Sequence, residues 1–362
     1  MNSSIPGCRW NSLTISHTLT GIWCHSNQEK VYCLQIAPGF WFICWKSGNL
    51  YKWGLIMHVL VTGANGYLGS VLMQRLQASN IVTNVTALVR QPRRFLEKKY
   101  NYMDGAAIID AQQLVNGKVS FDEIDIVCHL AAGRDIRVPG EIAGSLEFTN
   151  TLMTNLIQAN VRGIINASSQ AVYGVADPIW IEEGPIAPVT TYGMAKFAAE
   201  LLVKTTALSM PSTRTTSLRM SKLVGPSPSM RVAPSEHPHV FAKSALLGRS
   251  LTIPGDGRQK LDFLDVRDAA AVMVSLIEMD PEFWPEIINV GSGQQVTLEA
   301  TAQLVSDVAL AQFGKPFQFN FVPSNRKYRN FGMSIARLGE LLQWKASYSL
   351  DETVADILKR LN

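Results

Sequence analysis

The sequence predicts a doubly wound α/β protein, because short apolar runs alternate with stretches of helical spacing from Met57 onward, and the first run leads straight into three glycines at Gly63, Gly66 and Gly69. The run at 126–130 also lacks the in-and-out alternation of a half-exposed strand, so it reads as buried on both faces. Strands of this kind, separated by helices, imply a parallel sheet with right-handed crossovers.

The first strand is read at 58–62 and is followed by a helix whose apolar stripe is Leu68, Val71, Leu72 and Leu76. Further strands are read at 85–89, 106–109, 126–130, 163–167 and 215–218. After Gly225, four prolines (Pro226, Pro228, Pro234 and Pro238) mark an irregular stretch, read as a substrate-binding loop reaching residue 240. A helix at 266–277, a strand at 287–290, helices at 298–311 and 335–342, and a last helix from Asp351 complete the chain. The expected division is therefore a dinucleotide-binding core at 57–225 and a smaller C-terminal substrate-binding region at 226–362, some of whose elements return to the core.

Residues 1–56 stand apart. They hold four of the five cysteines (Cys8, Cys24, Cys33 and Cys44) and five of the eight tryptophans, with neither helical nor alternating periodicity. They read as an extension of doubtful structure ahead of a true start near Met57, contributing nothing to catalysis. No two of those cysteines have the close spacing of a zinc site.

The totals narrow the function. A chain of 362 residues with 47% hydrophobic content can bury a full core, and a net charge of +4 without a basic run argues against a nucleic-acid partner. A small-molecule substrate is expected instead. Cys128 alone remains in the body, which fits a reducing cytoplasm, and the densest apolar stretch, 39–45, is far short of the roughly 20 residues of a membrane span. His237 and His239 have no third ligand nearby and read as loop histidines, with no metal expected.

Thr62-Gly63-Ala64-Asn65-Gly66-Tyr67-Leu68-Gly69 matches TGxxGxxG between a strand and a helix, the setting in which such glycines bind a dinucleotide on a Rossmann-type sheet. Gly63, Asn65, Gly66, Tyr67, Leu68 and Gly69 are the expected phosphate-side contacts. The second strand ends in Arg90, with Arg93 and Arg94 close behind, and this cluster favours NADP, with NAD as the alternative. Asp110 is a candidate acceptor for the adenine amine, with Asp104 competing.

Tyr192 and Lys196 lie four residues apart on one helical face. An ammonium beside a phenol favours the phenolate, so Tyr192 can carry a substrate proton near neutral pH. The strand before them ends in Ser168 and Ser169 at the edge where doubly wound sheets bind ligands, and Ser169 is the expected partner of the reacting oxygen.

With the glycine loop, Ser169, Tyr192 and Lys196 in this order, the chain resembles the extended short-chain dehydrogenase/reductases of the NAD-dependent epimerase/dehydratase family. Further matching segments are 125–132, Leu218-Arg219 with Gly225-Pro226, Gly255-Asp256-Gly257, Asp262-Phe263 with Val266 and Asp268, and 289–293. The resemblance implies that Leu130, Ala131, Ala132 and Ser168 border the cofactor, that Tyr192 moves a carbinol proton, that Lys196 also holds the nicotinamide ribose, and that the chain forms a homodimer through two helices per subunit. Members that dehydrate nucleotide sugars carry an Asp-Glu pair where this chain has Gln170 and Ala171, so dehydration is not expected. Epimerases of the family carry an arginine before Asp262 and an asparagine after the sixth strand; Leu261 and Lys222 stand there, with Arg231, Arg258 and Lys260 as other cations for a diphosphate. The first reading is a ketoreductase of a sugar-type or other small molecule. The alternatives are a nucleotide-sugar epimerase with bound NAD and, from another class, a non-catalytic NADP sensor.

Overall fold

The computed structural model describes residues 9–16, 19–26, 29–36, 41–46, 49–54, 57–90, 92, 104–133, 139–174, 179–229, 236–325 and 328–362, with only the backbone described before residue 57. Arg93, Arg94 and Arg231 of the sequence reading lie outside these residues.

Seven strands form one parallel sheet: β1 (Met57–Thr62), β2 (Val82–Val89), β3 (Ala107–Asp110), β4 (Ile126–His129), β5 (Gly163–Ser169), β6 (Arg214–Met220) and β7 (Ile287–Val290). Their spatial order is β7-β6-β5-β4-β1-β2-β3, so the chain winds one way from β1 to β3 and the other way from β4 to β7. Each strand foreseen in the core is present, and the expected doubly wound Rossmann-type fold is the one observed.

Helices cover both faces because the strands are apolar on both. On one face, α1 (Tyr67–Gln77) buries Leu68, Val71, Leu72 and Leu76 against the strands and against a late helix, Val266–Glu278, through Ala270, Met273 and Ile277. On the other, α2 (Pro139–Leu156) and α3 (Thr191–Leu208) enclose Leu60, Val127, Ile164, Leu152, Leu156 and Val203. Each fully buried side chain of this size contributes about 1.5–3 kcal/mol. A second core joins Phe241 and Ala245 with Leu298, Ala302 and Val305 and with Val354, Ile357 and Leu358, drawing three C-terminal helices together.

Two stretches differ from expectation. The backbone at 9–54 pairs as a five-stranded antiparallel meander, where the sequence reading found no regular structure. The missed signal is in the sequence, where turn-forming residues recur about every ten positions, at Asn27, Pro38-Gly39 and Ser47-Gly48. His237–Leu246 is a helix, not the tail of a loop; Pro238 sits in its first turn, where its fixed φ and missing N–H are tolerated. His239 is accordingly buried, with Nε2 3.1 Å from the carbonyl of Gly225.

The short helix Ala336–Leu342 ends on Gln343, an exposed residue held at φ 49° and ψ 35°. This left-handed cap position favours glycine, because a Cβ crowds the following carbonyl there. Gln343→Gly is therefore expected to raise stability by roughly 1 kcal/mol, read as a higher midpoint in thermal or urea denaturation. An unchanged or lower midpoint would show that the cap is not strained.

Candidate active site

The carboxyl ends of β1 and β4 are neighbours at the point where the winding reverses, with Thr62 paired to His129. A crevice opens there in doubly wound sheets. The Thr62 hydroxyl ties it together, accepting from the amides of Leu130 and Ala131 at 3.1 Å each and lying 2.9 Å from Nδ1 of His129. On the far side of that ring, Nε2 lies 2.9 Å from the Thr149 hydroxyl, which donates its own proton to the carbonyl of Ser145. Thr149 can then only accept from His129, so the ring is neutral with its proton on Nε2, and Thr62 donates to Nδ1. Burial, helped by the positive charge of Lys196, pushes the imidazole down to about 3, in accord with that tautomer.

The glycines let the loop, the start of α1 and the end of β4 pack backbone against backbone. Gly63 stands at φ 67°, and a Cβ there would lie 2.9 Å from the amide nitrogen of Ala131; one on Gly69 would lie 2.1 Å from the carbonyl oxygen of Gly63. Gly66 caps α1 without a side chain, and no acid occupies the first turn, so the opening amides of the helix remain available to an anion. This cradle fits the pyrophosphate of a nicotinamide dinucleotide. Tyr67 and Leu68, both expected at the cofactor, turn their side chains inward, and the Tyr67 phenol donates to the carbonyl of Gly225 at 2.6 Å. Only their backbone amides can reach a phosphate. The carbonyl of Asn65 accepts from the Ser229 hydroxyl at 2.9 Å, tying the loop to the segment after Gly225.

At the adenosine end, Arg90 is exposed just beyond β2, and Asp104 is exposed as well. Asp110 is the last residue of β3, where one carboxylate oxygen already caps the helix Ala111–Val115 by accepting from Gln112 N at 3.0 Å.

Across the crevice, Thr190 caps α3, and the first turn of that helix packs so closely on the 3-10 turn after β5 that a Cβ on Gly193 would lie 2.5 Å from the carbonyl oxygen of Ala171. Tyr192 and Lys196 follow on this helix, both half-buried, with the ammonium 5.9 Å from the centre of the phenol ring. Lys196 also donates to the carbonyl of Ala167 at 2.6 Å, which holds it at the end of β5. The Ser169 hydroxyl accepts from the amide of Ala171 at 3.2 Å, so its proton remains free to donate. The Ser168 hydroxyl, expected near the cofactor, is instead committed to the carboxylate of Glu200. The fold thus brings Ser169, Tyr192 and Lys196 to the carboxyl end of β5, on the same edge of the sheet as the glycine loop and two strands away from it.

The model of the NAD-dependent epimerase/dehydratase family matches residues 59–291. The chain belongs to this family. It is an enzyme of the extended short-chain dehydrogenase/reductase type, as the resemblance implied. Among its relatives, the UDP-glucose 4-epimerase of Yersinia pestis is 27% identical over 335 residues, covering 83% of this chain and 96% of the relative. The UDP-N-acetyl-alpha-D-glucosaminuronate decarboxylase of Bacillus cytotoxicus is 28% identical over 330 residues, with the same two coverages of 83% and 96%. Among solved structures, MoeE5 in complex with UDP-glucose and NAD superposes with a TM-score of 0.69 at 26% identity, covering 83% of this chain and 97% of that one. The UDP-glucuronic acid 4-epimerase of Bacillus cereus, solved with UDP-glucuronic acid and NAD, superposes at 0.71 with 24% identity, covering 84% of this chain and 99% of that one, and shows the fold alone.

Within this family's frame, the positions that depart from its pattern have clear structural roles here. Gln170 is buried in a 3-10 turn behind Ser169, and Leu261 is a core side chain, 2% exposed, packed in the C-terminal cluster. Lys222 pairs with Glu236 at 3.0 Å and lies 5.4 Å over the Phe331 ring. Arg258 and Lys260 are exposed. Glu182 accepts from the amide of Asn289 at 2.9 Å, and the exposed Glu183 pairs with Arg337. Among the described residues no cluster of three or more histidine, cysteine, aspartate or glutamate side chains could hold a metal ion, and no helix is long and apolar enough to cross a membrane.

Sequence reasoning missed the Thr62–His129–Thr149 chain and the buried pair of Glu200 and Arg219. The second left a signal, since Glu200 repeats the four-residue step from Tyr192 to Lys196 and Arg219 interrupts an otherwise uncharged strand end.

Because His129 titrates near 3 when folded and near 6.5 when free, it binds its proton more readily in the unfolded chain. Its share of stability is complete above about pH 6.5 and is lost as pH falls toward 3, at up to about 1.4 kcal/mol per pH unit. Burial lowers His237 and His239 in the same direction. The urea midpoint is expected to fall between about pH 7 and pH 5, while nitrogen NMR of His129 keeps the neutral Nε2–H pattern across that range. A protonated His129 ring at pH 6 would contradict the assigned tautomer.

Proposed function

We propose that the chain is an NAD-dependent epimerase of a nucleotide sugar, working through Ser169, Tyr192 and Lys196. The observation that carries this reading is the Lys196 ammonium held between the carbonyl of Ala167 and the Tyr192 ring at the edge of the glycine cradle. Relatives matched over more than nine-tenths of their own length, with UDP-sugar epimerases prominent among them, support the reaction class. They favour epimerisation over the ketoreductase that was the first expectation, and NAD over NADP, for which Arg90 was the sequence signal.

Bound NAD supplies a hydride acceptor that later serves as donor at the same sugar carbon. The protein has to handle the matching proton and hold the sugar. Tyr192 as phenolate takes the hydroxyl proton and returns it to the same oxygen once the configuration at carbon has inverted; the nearby ammonium of Lys196 favours that phenolate. Ser169 donates to the same oxygen while its own oxygen accepts from the amide of Ala171. Gln170 and Ala171 carry no group that could remove water, so the reaction stops at inversion. The backbone of Gly63, Asn65, Gly66, Tyr67, Leu68 and Gly69 would hold the pyrophosphate, Leu130, Ala131 and Ala132 would wall the crevice, and Arg90 and Asp110 would face the adenosine end.

A second reading concerns assembly. Met194, Leu201 and Leu208 are 54%, 49% and 79% exposed and recur every seven residues along α3. Such a stripe is costly to leave in water and suits packing against a second copy of the same helix.

Protein purified without added cofactor is expected to release NAD on denaturation and to invert one hydroxyl-bearing centre of a UDP-sugar, followed by proton NMR. Tyr192→Phe should lower turnover by at least about a hundredfold while the bound NAD remains. Substrate-dependent consumption of NADPH with no retained NAD would return the reading to a ketoreductase. Light scattering should give the mass of a dimer that Leu201→Lys splits into monomers; a monomeric parent protein would remove the second reading.

A further inference from the structure

Tyr192, Lys196 and Glu200 succeed one another at four-residue intervals and so line one face of α3. The two lower rungs both grip the end of β5. Lys196 donates to the carbonyl of Ala167, and the carboxylate of Glu200 accepts from the hydroxyl of the next residue, Ser168. Arg219 of β6, the register partner of Ser168, closes the arrangement with two parallel bonds to Glu200, at 3.1 Å from Nε and 2.9 Å from a terminal nitrogen.

The two charged side chains are only 4% and 5% exposed. The other terminal nitrogen of Arg219 donates to the Tyr173 hydroxyl at 3.0 Å and the carbonyl of Glu182 at 3.2 Å, and Tyr173 donates onward to Asn289 of β7 at 2.6 Å. Asn289 in turn donates through its side chain to the carbonyl of Trp180 at 3.2 Å. One guanidinium thereby connects three adjacent strands, the helix of Tyr192 and the segment that follows Ser169. Replacing a buried ion pair by well-packed apolar groups often leaves stability unchanged or improves it, so stability alone gives little reason for a charge pair here. Its fixed bidentate geometry does, because it sets the rotation and height of α3 against β5.

We propose that Glu200 and Arg219 are positioning residues, which hold the phenol of Tyr192 and the ammonium of Lys196 at the reacting edge of the sheet through Ser168. This rests on the reading of Tyr192 and Lys196 as the proton-handling pair.

The test compares the parent enzyme with the double variant Glu200→Leu/Arg219→Met, which removes both charges together, and with Ser168→Ala, which removes one rung and keeps the pair. The double variant is expected to melt close to the parent and to keep its NAD affinity and its KM for the UDP-sugar, while kcat falls roughly ten- to a hundredfold. Ser168→Ala should lose less, in the same direction. A readout independent of turnover is the ultraviolet titration of the Tyr192 phenolate, taken as the difference between each protein and its Tyr192→Phe counterpart; the double variant should titrate at higher pH than the parent. Unchanged kcat and unchanged phenolate titration in the variants would reduce the pair to a structural contact and overturn the proposal. Should the double variant not fold, Ser168→Ala decides alone by the same two measures. If the parent inverts no UDP-sugar, the functional reading falls, and the phenolate titration still judges the positioning claim.

Discussion

The close approach of two backbones at Gly63 and Ala131 is the constraint on which the site depends. It holds because one hydroxyl, that of Thr62, accepts from two amides of the opposite strand end and donates to a neutral histidine. Left without that oxygen, each of the two half-buried amides would lose its partner, at a cost of up to about 1 kcal/mol, and only the ladder from Val59 to Thr62 would hold the strand ends together. With it, the turn at Gly63 is fixed, α1 begins at Gly66 with its amides facing outward, and the crevice has one width. His129 extends the same knot to α2 through Thr149, so the floor of the crevice and the helix beside it move as one piece.

The edge that carries Ser169, Tyr192 and Lys196 is held by a different device. Strand β5 lies beside β4, and α3 is fastened to its end by the Lys196 bond to Ala167 and by the buried carboxylate of Glu200. Reductase and epimerase chemistry would use these same atoms, since both move a hydride and a proton at one carbon. What separates them is whether the cofactor stays and whether the sugar is held for a return on its other face. Local charge at Arg90 bears weakly on that question, because an exposed arginine on a strand end is common.

Much of this was legible in the sequence for physical reasons. Strands buried on both faces and a TGxxGxxG turn leave strong local patterns, and the pairing of Tyr192 with Lys196 follows from helical geometry alone. The place of Ser169 at a strand end was readable too, and a strand end is where ligands meet a doubly wound sheet. Other features depend on contacts remote in sequence. Nothing local says that the Tyr67 phenol turns to Gly225, that Ser168 faces Glu200, or that His129 bridges two threonines. The helix at His237–Leu246 was hidden by prolines that read as loop, although one of them stood where a helix begins. Lys222 looked like a free cation for a diphosphate, and its partner, Glu236, lies fourteen residues away.

The central claim is that the cradle over Gly63 and the edge at Tyr192 serve one bound dinucleotide. A crystal structure of the protein with NAD tests it most directly. The account predicts the pyrophosphate against the first amides of α1 and the nicotinamide ring facing the Tyr192 hydroxyl, with room for a sugar carbon about 3–3.5 Å from the ring. A pyrophosphate bound elsewhere, or a phenol turned away from the ring, would contradict it.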